Sequence, residues 1–419
     1  MAKGFKVKRY NRIYRGGRSP ASRALHIISI CAAVFILGFI GWSAYGPVMD
    51  YLEGQTQSAF QPADPSSVPE SSQPPEESDE AAAQEPAEPD QPSSPDTLHG
   101  IYLPAGILAD AGSLDAALAS IDTGKFNAVY FDLKDDTGNV LYRSFVENAT
   151  LAPQSYDLST VCGKITAKGF LPIGRISAFR DPLAASKIKD AGVKYGNTEI
   201  LWNDDDPARG GKPWLNPYSV SAQNYVTGLA EEAVGMGVST IVYANVCFPS
   251  GYSLNLAGYG NVTQPKSDVL AAFIDSAEER IAAAGGKLWV YTGGPAALGA
   301  ENSHYGGQNP LALANSAVLV DAMPVQFGDG FTQDSFTVTE PLLNPRQTVD
   351  TLLKALSPGL SGKEAVAILQ GYTAEGQFAH NKAYTAQDME DQILALTDNG
   401  IQNYIFYSPD GNYPNQEAS

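Results

Sequence analysis

From His99 onward the chain switches repeatedly between two hydrophobic periods. Short apolar runs occupy residues 99–105, 128–135, 171–179, 240–248, 287–294, 318–327, 365–372 and 403–409, each of a length suited to a buried strand. Between them, stretches such as SLDAALASID, NYVTGLAEEAVGMG, SDVLAAFIDSAEERIAAAGG and AQDMEDQILALTDNG place apolar residues at helical spacing, and several finish at glycine, a common helix stop. Strand followed by helix, eight times, predicts an α/β chain folded as a (β/α)8 TIM barrel over residues 98–419. The alternative is an open doubly wound sheet, but no GxGxxG follows a strand to support a dinucleotide site. In the second run Val129, Phe131 and Leu133 alternate with Tyr130, Asp132 and Lys134. The apolar set is expected to face the helices and the polar set the barrel interior.

The pattern before His99 is of another kind. Residues 25–45, LHIISICAAVFILGFIGWSAY, carry no charge except a titratable one on His26, and as a helix they extend about 31 Å, enough to cross a bilayer. Residues 1–24 hold eight Lys or Arg and no acid. The positive-inside rule then predicts a basic cytoplasmic tail (1–24), a membrane span (25–46) and an extracellular remainder. A cleaved signal peptide is the competing reading, disfavoured by the length of the apolar run and by the large Tyr45 at the end of Ser43-Ala44-Tyr45. Residues 47–97 are rich in Pro, Glu, Ser and Gln, with twelve acids and no base. Such a composition reads as an extended tether holding the barrel away from a cell membrane.

Composition narrows the chemistry. Of 419 residues, 43% are hydrophobic, enough for a large core, and the formal net charge is -19. Residues 98–419 hold 19 bases against 34 acids, a balance that repels phosphate backbones, so no nucleic-acid partner is expected. Three cysteines, Cys31, Cys162 and Cys247, allow at most one bridge, and no zinc spacing, P-loop, GxSxG or HExxH occurs. No metal and no cofactor is expected.

Several phrases then carry a resemblance: HGIYLPA, FNAVYFDLKDDTGNVLY, PIGRISAFRDPLAA, PWLNPYSVSAQNYVTGLAEEAVGMGVSTIVYANVCFPSG, VDAMPVQF, AILQGY and a terminal Tyr-Ile-Phe-Tyr strand. Together, over about residues 98–413, they resemble the putative glycosyl hydrolase domain family of bacterial TIM-barrel proteins. The resemblance implies an exported or surface-attached barrel acting on polysaccharide or cell-wall glycan. It also exposes a departure: where the family pattern reads Asp-Tyr-Val-Arg-Phe-Pro after the fourth strand, this chain has Ala244-Asn245-Val246-Cys247-Phe248-Pro249. Alanine at the C-terminal end of this strand can neither donate a proton nor attack a sugar carbon. Asn216 and Gln326-Phe327 also differ from the residues usual in relatives.

Glycoside hydrolysis needs two carboxyl groups flanking the scissile bond. Asp132 on the second strand is the leading candidate, against an ion pair with Lys134 or Arg175 as its structural alternative, and Asp321 on the sixth strand is the natural second. Asp135 and Asp136 precede Thr137-Gly138 and read more simply as a turn, while Glu375 after the seventh strand is held in reserve. Lys134, Arg175, Trp214, Asn245 and Gln370 are the expected substrate-binding residues, with Ser177 beside them: polar groups on or just after strands, and an aromatic one in the long Asn197 to Ser219 loop, on the face where barrel enzymes bind. Trp202 and Trp214 flank Asn203-Asp204-Asp205-Asp206, each serving either as a sugar platform or as core packing of the loop. Two functions follow: a membrane-anchored extracellular glycoside hydrolase, or a non-catalytic carbohydrate-binding or scaffolding barrel derived from one.

Overall fold

A computed structural model describes residues 97–314 and 317–414. The predicted tail, span and tether before residue 97 lie outside the described residues; among those, no helix is long and apolar enough to cross a membrane. Eight parallel strands form the expected barrel: β1 (His99–Tyr102), β2 (Ala128–Lys134), β3 (Leu171–Ser177), β4 (Thr240–Ala244), β5 (Lys287–Gly293), β6 (Ala317–Asp321), β7 (Glu364–Gln370) and β8 (Asn403–Tyr407). Each pairs with the next, and β1 closes the ring by pairing with both β8 and β2. All eight begin within one residue of the runs read from the pattern, and all end earlier.

Alternation along the strands divides the core into two shells. Val129, Phe131, Leu133, Ile176, Ile241 and Tyr243 point outward and pack against helix residues such as Val161, Ile165, Val226 and Leu229. Tyr130, Ile173, Val242, Trp289, Leu319, Ile368 and Ile405 fill the lumen, as a small barrel requires. Burying each large side chain contributes about 1.5–3 kcal/mol, so this two-sided packing accounts for a fold without disulfides; Cys162 and Cys247 are both buried and free.

The helices follow their local signals. Val220–Gly235 starts where the Ser219 side chain accepts from the Ala222 amide, and Ala386–Asp398 starts at a reciprocal Thr385–Asp388 capping box. The connections on the C-terminal face of the barrel are elaborated. After β2, strand Asn139–Tyr142 turns back antiparallel to β2, and Thr150–Tyr156 pairs beside it. The loops after β3 and β4 are joined by short strands Lys194–Tyr195 and Ala257–Gly258.

Candidate active site

The chemistry-bearing side chains gather at the C-terminal mouth of the barrel, where strand after strand ends in a polar residue. Tyr102 closes β1, Asp132 stands near the end of β2, Arg175 and Ser177 end β3, Asn245 follows β4, Tyr291 lies on β5, Asp321 ends β6 and Tyr407 ends β8. Pairing of β2 with β3 shifts register between Asp132 and Lys134. That irregularity separates two residues which simple alternation puts on one face.

Asp132 stays in the mouth. Its Oδ1 accepts from Arg175 Nη1 at 3.0 Å and its Oδ2 from the Tyr102 hydroxyl at 2.7 Å. Lys134 does not, and its assignment to substrate binding is corrected here: the side chain is fully buried, pairs with the equally buried Asp181 at 2.9 Å and donates to the Ser177 carbonyl. An ammonium this deep is compensated by a carboxylate, as buried charges must be, and has no donor facing substrate.

Arg175 links two carboxylates. Besides Asp132 it donates through Nη2 to Asp136 Oδ1 at 2.7 Å. Asp136 also accepts from Asn245 Nδ2 at 3.0 Å and faces Arg180 Nη1 at 3.6 Å. Burial alone raises the Asp136 carboxyl, but Arg175, Arg180 and Ser177 outweigh it, and the net shift is downward. Reading Asp135-Asp136 together as a turn therefore holds for one residue only. Asp135 Oδ1 accepts from the amides of Thr137 and Asn139, which leaves Asp136 on the opposite side of the turn, in the mouth. Gly138, at φ +88, makes the turn possible, because a Cβ there would lie 2.3 Å from Asp181 Oδ1.

Asp321 is a different carboxylate. It is only 2% exposed, and it accepts from the Tyr291 hydroxyl at 2.8 Å, Gln326 Nε2 at 2.7 Å and the Met323 amide at 3.1 Å. Burial pushes its carboxyl up to about 6 despite these donors and the nearby Arg175. Asp132, Asp321 and Arg175 all act electrostatically on Tyr130, whose buried hydroxyl has no hydrogen-bond partner among the described residues. Tyr407 feels the same three groups and Asp136. Asp132, Asp136, Arg175 and Asp321 thus share one site, floored by tyrosines.

Two further expected binding residues are structural. Gln370 is fully buried; its side chain accepts from the Val325 amide and donates to the Tyr372 carbonyl. Trp214 is buried, donates to Asp204 Oδ2 at 3.0 Å and has the Arg180 guanidinium over its ring at 5.8 Å, so it packs the loop and offers no open face. Trp202 is buried in the same cluster. The Asp204–Asp206 run is spent on the loop itself: Asp204 also accepts from the Lys212 amide, Asp205 pairs with Arg209 and Asp206 caps the Ala208 amide. Asn245 is placed as expected. It takes a left-handed φ of +54 and donates to both Asp136 and Ser177, a strain of the kind found at functional positions. Burial raises the Cys247 thiol to about 12, far from a reactive thiolate.

Sequence reasoning missed Asp136 and the tyrosines. A signal for the latter was present: Tyr130 shares the parity of Asp132 on β2, and Tyr291 that of the luminal Trp289 on β5. None was available for Asp136, since only the course of the turn separates it from Asp135.

One solved structure agrees with the architecture, and others are similar over parts of the chain. The PgaB (BpsB) glycoside hydrolase domain from Bordetella bronchiseptica superposes with a TM-score of 0.54 at 12% identity, over 77% of this chain and 97% of its own. A hypothetical protein from Ruminiclostridium thermocellum is 25% identical, with a TM-score of 0.40 over 45% of this chain and 96% of its own. The PelA glycoside hydrolase domain from Pseudomonas aeruginosa is 13% identical, with a TM-score of 0.39 over 76% and 97%. No curated protein sequence matches the chain. The putative glycosyl hydrolase domain model matches residues 100–413, the whole ring of strands but for His99, and the chain belongs to that family.

Proposed function

We propose that the chain is a glycoside hydrolase acting on polysaccharide or cell-wall glycan, tethered by residues 47–97 to a cell membrane that residues 25–46 span, with the N-terminus cytoplasmic and the barrel extracellular. The observation that carries the activity is the contrast among the mouth carboxylates. Asp321 is raised to about 6 by burial, whereas Asp136 is lowered beside Arg175. Environments that push two carboxyl groups apart in this way sort them into proton donor and ionised partner. Asp321 is the donor to the leaving oxygen. Asp132, with both oxygens already engaged by Tyr102 and Arg175, stabilises positive charge developing on the sugar ring. Topology rests on the 21-residue apolar run and the eight preceding bases.

A second reading, a non-catalytic glycan-binding barrel, is favoured by Ala244 at the end of β4 and by the 2% exposure of Asp321. Reducing-end release by the purified full chain across a panel of cell-wall and plant polysaccharides separates the two. Release that is lost in folded Asp132→Asn and Asp321→Asn variants supports hydrolysis, whereas glycan retention without any release supports the binding barrel. For topology, protease protection of residues 1–24 in intact cells, with the barrel accessible, is the expected result.

A further inference from the structure

β4 ends at Ala244, so the wall between β3 and β4 has no carboxylate of its own, yet one stands there. Ser177 and Ala244 are register partners across the two strands. Directly after Ala244, Asn245 turns left-handed and sends Nδ2 to Ser177 Oγ at 2.8 Å and to Asp136 Oδ1 at 3.0 Å. Asp136 is thereby delivered from the loop after β2 to the end of β4. Its two oxygens differ: Oδ1 accepts from Arg175 and Asn245, while Oδ2 faces Arg180 at 3.6 Å, beyond a good hydrogen bond, and the Ser177 hydroxyl also lies against the carboxyl. The Asp136 side chain is 36% exposed against 20% for Asp132, and Asp321 is buried.

Resting on the hydrolase reading above, we infer that Asp136, the carboxylate held at the end of β4, acts as the base that activates the attacking water, with Asn245 as its positioning residue. Water gives a proton to Asp136 Oδ2 as its oxygen bonds to the anomeric carbon. The glycosidic bond breaks with its electron pair on the leaving oxygen, which takes the proton of Asp321. One water is consumed, a new reducing end forms, and solvent exchange returns both carboxyl groups to their starting states. Direct attack by water inverts the anomeric centre.

The test uses the purified full chain on whichever glycan it cleaves. Proton NMR of the first product is expected to show inversion. Asp136→Ala is expected to lower kcat about a thousandfold, within the range for loss of a general base, with KM changed less than about threefold. Added azide, a small anion that fits the space left by the carboxylate, is expected to restore turnover and yield a glycosyl azide. Asp136→Asn, nearly isosteric, serves if the alanine variant does not fold, with the same loss expected at an unchanged Tm. Wild-type cleavage that survives either folded variant overturns the assignment alone, as does a retained anomer. Failure of the wild-type chain to cleave any glycan overturns the hydrolase reading and this assignment together.

Discussion

Asp132 and Asp321 each stand at or near the C-terminal end of a barrel strand, but the two sides of the mouth treat them oppositely. On the β2–β4 side, Asp132, Asp136, Arg175 and Asn245 form a partly exposed charged network. On the β5–β7 side, Tyr291, Gln326 and the Met323 amide, all neutral, donate to the buried Asp321, and Gln370 ties the same loop by accepting from the Val325 amide. A guanidinium neutralises charge and tolerates water, so Arg175 and Arg180 hold the Asp136 carboxyl below its ordinary range despite its partial burial. Hydroxyl and amide donors cannot cancel a full charge, so a carboxylate buried among them is pushed toward its protonated form. One residue type thus receives two chemistries from its surroundings, which is the division of labour an acid and a base require.

The comparison is broken most severely beneath the charged side. Lys134→Ala leaves Asp181 buried without its partner and is expected to cost about 3–5 kcal/mol in chemical denaturation. Replacing both, Lys134→Met with Asp181→Leu, should recover most of that loss; a single variant as stable as wild type would show that the pair does not anchor the Asp136 turn.

Next in size is the pH response of the neutral side. The folded carboxyl of Asp321 lies at about 6 and its ordinary value is 3.8. Its contribution is therefore fully present below about pH 4 and lost as pH rises through 6, up to about 3 kcal/mol. Asp321→Asn should flatten the fall in Tm between pH 4 and 7.5, and an unchanged slope would place the titration elsewhere.

A smaller effect tests how rigid the neutral network is. The Gln392 side chain accepts from the Gln370 amide and donates to its carbonyl. Gln392→Leu orphans both and is expected to cost about 1–3 kcal/mol, measured by urea denaturation. Least costly to stability is Asp132→Asn, at about 1 kcal/mol or less, because the pair is partly solvated and Arg175 keeps Asp136. Its effect on glycan cleavage should be far larger, and a variant equally affected in both would make Asp132 a structural residue.

How far the fold was legible follows from these elements. The starts of β1 to β8 stand at or next to the beginnings of the apolar runs, because a barrel strand is buried on both faces and is largely apolar until it nears the mouth. The strands end before the apolar runs do: the runs continue as Ala178-Phe179, Val246 to Phe248 and Ala322 to Pro324, which are buried but no longer part of a strand. Hydrophobicity reports burial, and near the mouth the loops are buried too. Among the site residues, Asp132, Arg175 and Asn245 stand in the mouth as read, whereas Lys134, Gln370 and Trp214 do not. Five of the six are polar groups near strand ends and Trp214 lies in the loop after β3, and pattern alone cannot tell a side chain that faces the mouth from one that ties two loops together.

Sequence alone determined the repeat of strand and helix, the inward and outward parity of β2 and the absence of a carboxylate at position 244, since each is a property of consecutive residues. Tertiary structure decided what the carboxylates are. The irregular register of β2 against β3 sent Lys134 to Asp181, the turn at Gly138 separated Asp136 from Asp135, and burial raised Asp321. Those outcomes depend on partners tens to hundreds of residues away and on distance from water, and neither is written in the local order of the chain.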